Sequence, residues 1–472
     1  MLVAGIDSST QSCKVLVVDA ATGKIVRQGS ASHPEGTEVH PHHWWEALKR
    51  AIESAGGLSD VGALSVGGQQ HGMVLLDSAG EVCREALLWN DTRSAEQANQ
   101  LVERFGASWW AQNIGSVPVA SFTVTKLAWV AQNEPEIASR TAAVCLPHDW
   151  LTYKLRGGAE LAQREGLEVS LTTDRGDASG TGYWSTTTES YDLNLVETAF
   201  GHRPVLPRVL DAWASAGNVD SDVARELGIH PNCLMGAGSG DNMAAALGLG
   251  ATPGKGIVSL GTSGTVFASS STSTHDESGM IAGFADATGN FLPLACTLNA
   301  TQVLDRLRTL TGLDYAQFDA AALSMEPGAH GLTLIPYFQG ERTPNRPNAT
   351  GTLHGMRLDN VSAAHIARAG VEAIICSLND ALLAIRDCGV EVTSLSLIGG
   401  GAASIATQQI ASSIFGEPIA VPPTSEYVAL GMARQAAHVA GVDTQTWQLV
   451  GESLVHSPSA PHVFQTYQQL RG

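Results

Sequence analysis

Asp7 ends an apolar run, LVAGID, and is followed at once by Ser8, Ser9 and Thr10, with Lys14 a few residues beyond. A carboxylate at the end of a buried strand can hold a hydrated magnesium ion, while the hydroxyls and amides of the turn behind it bind phosphate and Lys14 adds positive charge. A second acid, Asp241, stands in MGAGSGDNMAAALG, between glycines and an alanine-rich helix. Glycines leave room for a substrate hydroxyl to approach that carboxylate, which suits a general base. A third stretch, GGQQHGM, sets Gln69, Gln70 and His71 in a glycine-flanked turn fit to hydrogen-bond a polyol. Phosphoryl transfer to an alcohol needs such parts: an aligned hydroxyl, a proton acceptor and a held phosphate. Each also has an ordinary alternative, in which Asp7 caps its own turn, Asp241 and Asn242 cap a helix, and His71 is structural. HPHHWW, with His40, His42 and His43, reads as a solvated helix start rather than a metal site, because no acid sits at a ligand spacing.

The elements that must position these residues follow from the pattern of apolar runs and turn formers. LVAGIDSSTQSCKVLVVDAATGKIV reads as a three-stranded meander, and WWEALKRAIESAGG as a helix with Trp45, Leu48 and Ile52 on one face and Gly56 as its stop. The strand ALSVGGQ follows, and strands and helices alternate from there. GIVSLGTSGTVFASS repeats the opening hairpin in the second half, as if a phosphate-binding core were duplicated across a cleft; two ordinary hairpins are the alternative. Later come a long helix near SAAHIARAGVEAIICSLNDALLAI, with Ile374, Leu378, Leu382 and Ile385 on one stripe, and SLSLIGGGAASIATQQIASSIFG as strand, triple-glycine turn and helix. A helix start after the glycines would offer backbone N–H groups to a ligand.

The whole is an α/β chain. Its 472 residues exceed one ordinary core, so two or three domains are expected, two being preferred, with the boundary near residues 244 to 256. A net charge of −19 argues against nucleic acid or anionic lipid as partner. Seven cysteines without a CxxC pair suggest neither a zinc site nor a disulfide framework and fit a reducing cytosol. No basic leader or membrane-length apolar run occurs. PGKG is not a P-loop, GGGA is not a dinucleotide fingerprint, and no GxSxG elbow is present.

Taken in order, GIDSSTQSCKV, SVGGQQHGMVLLD, LLWNDTRS, FTVTKLAWVAQNEPE, LPHDWL, GSGDNMAAALG, SLGTSGTVF, IPYFQGERTPNRP, GTLHGM and LIGGGA resemble the FGGY carbohydrate kinases over essentially the whole chain. The resemblance implies two actin-like ATPase domains of the ribonuclease H type flanking a catalytic cleft. Residues 1–246 would carry sugar binding and the first phosphate motif, and 247–472 the second phosphate and adenosine motifs. It implies ATP and magnesium as cofactors, with Asp7 organising the metal through water, and Ser9, Thr10 and Lys14 near the transferred phosphate. Asp241 would be the base, and Gln70, His71 and Asn242 would contact the sugar. Gly261 and Thr262 would form the second phosphate motif, and Gly400, Gly401 and Ala402 the adenosine motif. TKLAWV, WNDTR and GERTP are expected to be scaffold. Ser8 stands where the family's first motif usually has glycine, Gln70 where methionine is common in the ketose-binding pair, His148 where lysine is frequent and His40 where an acid is usual. The expected reaction is transfer from MgATP to the terminal hydroxyl of D-xylulose by a cytosolic homodimer. The rivals are another ketose, a polyol or gluconate as acceptor, and, from another class, a nucleotide-dependent sugar-binding regulator.

Overall fold

The computed structural model describes residues 1–447 and 451–472. Strands Leu2–Ser8, Ser12–Asp19 and Ile25–Ser32 form the expected antiparallel meander, and Val61–Gly68 then pairs parallel to the first of them. The sheet runs on through Leu234–Gly236 to Ser215–Asn218, with Ser239–Gly240 alongside the end of Val61–Gly68. The second half repeats this plan. Lys255–Leu260, Gly264–Ala268 and Phe291–Thr297 make the meander, and Ser394–Ile398 adds parallel to Lys255–Leu260. The sheet ends at Ala282–Ala285 on one side and at Ile419–Val421 and Ser453–Val455 on the other. The chain is thus two copies of one mixed α/β unit, the actin-like arrangement.

Burial on both faces explains the apolar runs. In SCKVLVVD, Val15 and Val17 enter the core beneath helix His42–Ser54, while Leu16 and Val18 face helix Tyr427–Val439. A strand covered on both sides reads as continuous Val and Leu rather than alternation. The long helix Ala363–Asp387 buries Ile374, Leu378, Leu382 and Ile385 in the second core.

Two helices tie the halves together by crossing over. Helix Asp241–Gly248 contributes Met243 to Leu247 to a core that also holds Ile257, Phe267 and Ile398 of the second sheet. Helix Tyr427–Val439 lies instead on the first sheet, so close that a Cβ on Gly5 would stand 1.7 Å from the Ala429 carbonyl oxygen. The helices also touch through glycine: a Cβ on Gly431 would lie 1.9 Å from Ala244 O, and one on Gly248 2.0 Å from Tyr427 O. Only residues without a side chain permit this backbone contact. No helix among the described residues is long and apolar enough to cross a membrane.

Candidate active site

The first hairpin pairs Asp7 with Lys14 and Ser8 with Cys13, which leaves Ser9, Thr10 and Gln11 as its turn. Ser9 Oγ donates to Asp7 Oδ1, and Trp89 Nε1 donates to Thr10 Oγ1 at 2.8 Å, leaving the Thr10 hydroxyl proton free for a ligand. Trp89 belongs to LLWNDTRS, whose WNDTR is assigned to scaffold from sequence, yet it orients a residue of the expected phosphate motif. Burial pushes the Asp7 carboxyl up to about 6, against the opposing pull of the Ser9 hydroxyl and the Lys14 ammonium. Ser8 Oγ is buried beside it with no partner. Lys14 reaches Glu426 at 2.6 Å, so its charge is shared with the residue that precedes the crossing helix Tyr427–Val439.

Asp241 is the first residue of its helix, after Gly240 in extended conformation. The expected alternative, Asp241 as N-cap, does not hold: Gly240 occupies the cap position, and Asp241 Oδ1 instead accepts from Asn242 N at 2.8 Å and Asn242 Nδ2 at 2.9 Å. Asn242 Nδ2 also reaches Gln70 Oε1 at 3.1 Å, joining the two expected sugar-binding stretches. Asp241 is part-exposed, and burial first, then the nearby Asp7 charge, raises its carboxyl to about 7. A carboxylate poised there accepts a proton at neutral pH far better than an ordinary aspartate.

His71 has a left-handed backbone, φ 65°, and its ring stacks on Phe122 at 4.9 Å and leans on Phe284 at 5.6 Å. Its Nδ1 lies 2.6 Å from the Gly180 carbonyl oxygen, and burial with the Lys126 charge pushes the imidazole down to about 3. The ring is therefore neutral, donates through Nδ1 and keeps Nε2 as an acceptor. Lys126, fully buried, fixes the backbone of this turn by donating to His71 O at 2.9 Å and Ser121 O at 2.6 Å. TKLAWV is thus scaffold directly under the site. GERTP is scaffold too, with Glu341 accepting from Leu298 N at 2.7 Å and Asn299 Nδ2 at 2.9 Å.

In the second half a cavity of about 680 Å³ is lined by Gly261, Thr262, Gly400 and Gly401, four of the expected nucleotide contacts. Thr301 Oγ1 holds the first loop by donating to Gly261 O at 2.8 Å, and a Cβ on Gly400 would meet nothing. Two details depart from expectation. The glycines open a short 3-10 turn, Gly400–Ala403, and the α-helix begins only at Ile405, where the Ser404 hydroxyl caps Thr407 N, so no bare helix start follows GGG. Ala402 is turned into the second core, and Ala403 lines the cavity in its place. The opposite wall, with Asp305, Arg308, Tyr315 and Asp319, comes from helices Thr301–Thr311 and Tyr315–Leu323. Their one sequence signal is the i, i+3 pair Asp305 and Arg308; the Arg308 guanidinium lies 4.1 Å from the Tyr315 ring centroid.

The acids fit a magnesium ion held mainly by water and phosphate. Among the described residues no cluster of three or more His, Cys, Asp or Glu forms a metal cage. Magnesium at a kinase site uses one or two carboxylates and substrate oxygens, not such a cage. Asp7 offers a buried carboxyl, raised to about 6, beside the unpartnered Ser8 hydroxyl, and a cation there would favour its ionised form and relieve the repulsion between Asp7 and Asp241.

Comparison with known proteins gives the family and the fold. Residues 2–248 match the N-terminal domain of the FGGY family of carbohydrate kinases, and 256–440 its C-terminal domain. A xylulose kinase of Streptomyces rubiginosus is 47% identical over 443 residues, covering 92% of this chain and 87% of its own length. One from Streptomyces coelicolor shows the same identity and coverage. The crystal structure of a xylulose kinase from Bifidobacterium adolescentis superposes with a TM-score of 0.92 at 46% identity, covering 100% of this chain and 99% of that one.

Proposed function

The chain belongs to the FGGY family of carbohydrate kinases, and we propose that it transfers the γ-phosphoryl group of ATP to the terminal hydroxyl of D-xylulose, giving D-xylulose 5-phosphate and ADP. The observation that carries the mechanism is Asp241: a part-exposed carboxyl, raised by burial to about 7, bonded to Asn242 and through it to Gln70. The names of the similar proteins from Streptomyces and Bifidobacterium support the sugar.

In this reading ATP lies in the cavity with its phosphates between the Gly261–Thr262 loop and the Ser9–Thr10 turn. Thr10, oriented by Trp89, donates to phosphate, and Lys14, now paired with Glu426, adds its charge to the phosphate side of the hairpin. Asp7 would hold magnesium through water, and the ion would supply neutralisation of charge on the transferred group. Asn242, Gln70 and neutral His71 hydrogen-bond the open-chain ketose and hold its terminal hydroxyl against Asp241. As that oxygen attacks phosphorus, a carboxylate oxygen of Asp241 takes its proton, and ADP leaves. Closure of the two halves excludes water, which would otherwise compete as acceptor. A homodimer in the cytosol belongs to the same reading, and the mass in solution tests the first part. ADP release from MgATP with a sugar panel tests the reaction: D-xylulose should exceed ribulose, polyols and gluconate, and release indifferent to every sugar would refute a sugar kinase.

A further inference from the structure

Beneath the Gln70 and Asp241 loops lies a buried group of four ionisable residues that have no part in the proposed proton transfer. His148, Asp149 and Asp177 are completely inaccessible, and Asp174 nearly so. His148 Nδ1 is 2.7 Å from Asp177 Oδ2, and its Nε2 is 3.2 Å from Asp149 Oδ1. Asp174 caps the short helix Arg175–Ser179 through Gly176 N and Asp177 N, both at 2.9 Å, and accepts from Ser239 Oγ at 2.8 Å. Both site loops rest on this group. A Cβ on Gly68, just before Gln69, would stand 3.0 Å from His148, and one on Gly238 would stand 2.3 Å from its ring.

His148 Nε2 and Asp149 Oδ1 face each other as an ion pair without a hydrogen bond, and a further atom of the group faces the Gln70 side. Asp177 Oδ1 is buried and has no hydrogen-bond partner, and Gln70 Nε2 is buried and has none either. The two are neighbours: where a Cβ of Gly240 would stand, Gln70 Cδ is 3.1 Å away and Asp177 Oδ1 3.3 Å away. On the far side of the same amide, Gln70 Oε1 accepts from Asn242 Nδ2, which in turn donates to Asp241 Oδ1. An unpaired buried donor beside an unpaired buried carboxylate oxygen is costly unless the two join.

We propose that His148 and Asp177 are positioning residues for the sugar kinase reaction: Asp177 Oδ1 takes the Gln70 Nε2 donor and so completes a relay from His148 through Asp177, Gln70 and Asn242 to Asp241. An ionised carboxylate accepts and never donates, so it fixes which way the Gln70 amide faces. Gln70 Oε1 is then always turned to Asn242, and Asn242 always presents its donor to Asp241. His148 supplies the cation that keeps Asp177 ionised in a dry site, where an unpaired carboxylate would take up a proton. The directions agree, since Asp149 and Asp177 raise His148 to about 9 against the cost of burial, while burial, with Asp174 and Asp241, raises Asp177 to about 6 and His148 opposes that rise. A glutamine at position 70 has a purpose in this chain that an apolar residue there would not serve.

The inference rests on the sugar kinase reading, and a double-substitution cycle tests it separately. Asp177→Asn keeps the shape and removes the obligate acceptor. It should raise KM for D-xylulose by about tenfold or more, the scale of a hydrogen bond to a charged group. In a Gln70→Met background, where the relay is already cut, the same substitution should change KM by less than about twofold. Equal effects in the two backgrounds would overturn the relay. Should Asp177→Asn fail to fold, His148→Lys against His148→Gln decides the same question: the lysine, which keeps a cation, should retain KM, and the glutamine should not. Loss in both, or in neither, would contradict the proposal. If the unsubstituted protein ignores D-xylulose, the substrate reading fails by itself, and the cycle is run with the acceptor that the panel selects.

Discussion

Replacing Gly431 by alanine places a Cβ 1.9 Å from the carbonyl oxygen of Ala244, where the crossing helices touch. Two effects of opposite sign follow. Alanine is the better helix former by about 1 kcal/mol, which favours the variant. The contact, however, must open to at least 3.0 Å, so the helices part by about 1 Å, and neither backbone can yield as a side chain would. Overpacking of this kind costs roughly 1–3 kcal/mol or more, so the clash wins and Tm falls. The larger effect is on chemistry. Ala244 lies three residues after Asp241 on the same helix, and a misplacement of about 1 Å at a reacting group costs on the order of a hundredfold in rate. Thermal unfolding and ADP release, the latter measured well below Tm, should therefore show a modest loss of stability and a loss of turnover out of proportion to it. Gly248→Ala, which meets Tyr427 O at 2.0 Å from the other side, should behave alike. A Gly431→Ala protein with unchanged Tm and turnover would refute the idea that this helix contact positions the base.

The remaining predictions concern the acids and the buried lysine. At saturating MgATP, kcat/KM for the sugar should rise with pH through an apparent pKa at or below about 7, because Asp241 must be deprotonated and magnesium beside Asp7 favours that form; a flat profile would count against the base. Asp7 is raised above its unfolded value, so the folded state holds the extra proton and loses stability as pH climbs from about 4 through about 6. Asp7→Asn should flatten that part of the Tm-against-pH curve, and an unchanged slope would show that the burial of Asp7 has no such cost. Lys126→Met takes the ammonium donor from the Ser121 carbonyl oxygen and leaves the His71 carbonyl oxygen with only the Thr123 hydroxyl, at 3.2 Å. Unfolding should show a loss of about 1–3 kcal/mol and the sugar KM should rise, since the His71 turn loses its support.

The parts of the fold legible in the sequence are those whose signals are local. GIDSSTQSCKV alternates apolar run, polar turn and apolar run, and that is how the hairpin forms. What stays hidden depends on contacts between distant residues. Helix Tyr427–Val439 is rich in alanine and carries no strong apolar stripe, so nothing local announces that Ala429 lies on Gly5. The glycines and helix around Asp241 suit it to the part of a base, but the bond that links its neighbour Asn242 to Gln70 exists only in the fold. In GGGAAS the glycines suggest a helix start, yet the Ser404 hydroxyl is the better cap and delays the helix, which turns Ala402 inward. A lone histidine in PHDWL signals little; its meaning comes from Asp177, which only the folded chain brings to 2.7 Å.

The most direct test of the central claim is ADP release from MgATP with D-xylulose, measured for the unsubstituted protein and for Asp241→Asn. The expected result is brisk release that depends on the sugar, and a loss on the order of a hundredfold or more in turnover for the variant, with its fold intact by thermal unfolding. Near-equal turnover in the two proteins would contradict Asp241 as the proton acceptor and, with it, the mechanism proposed for this site.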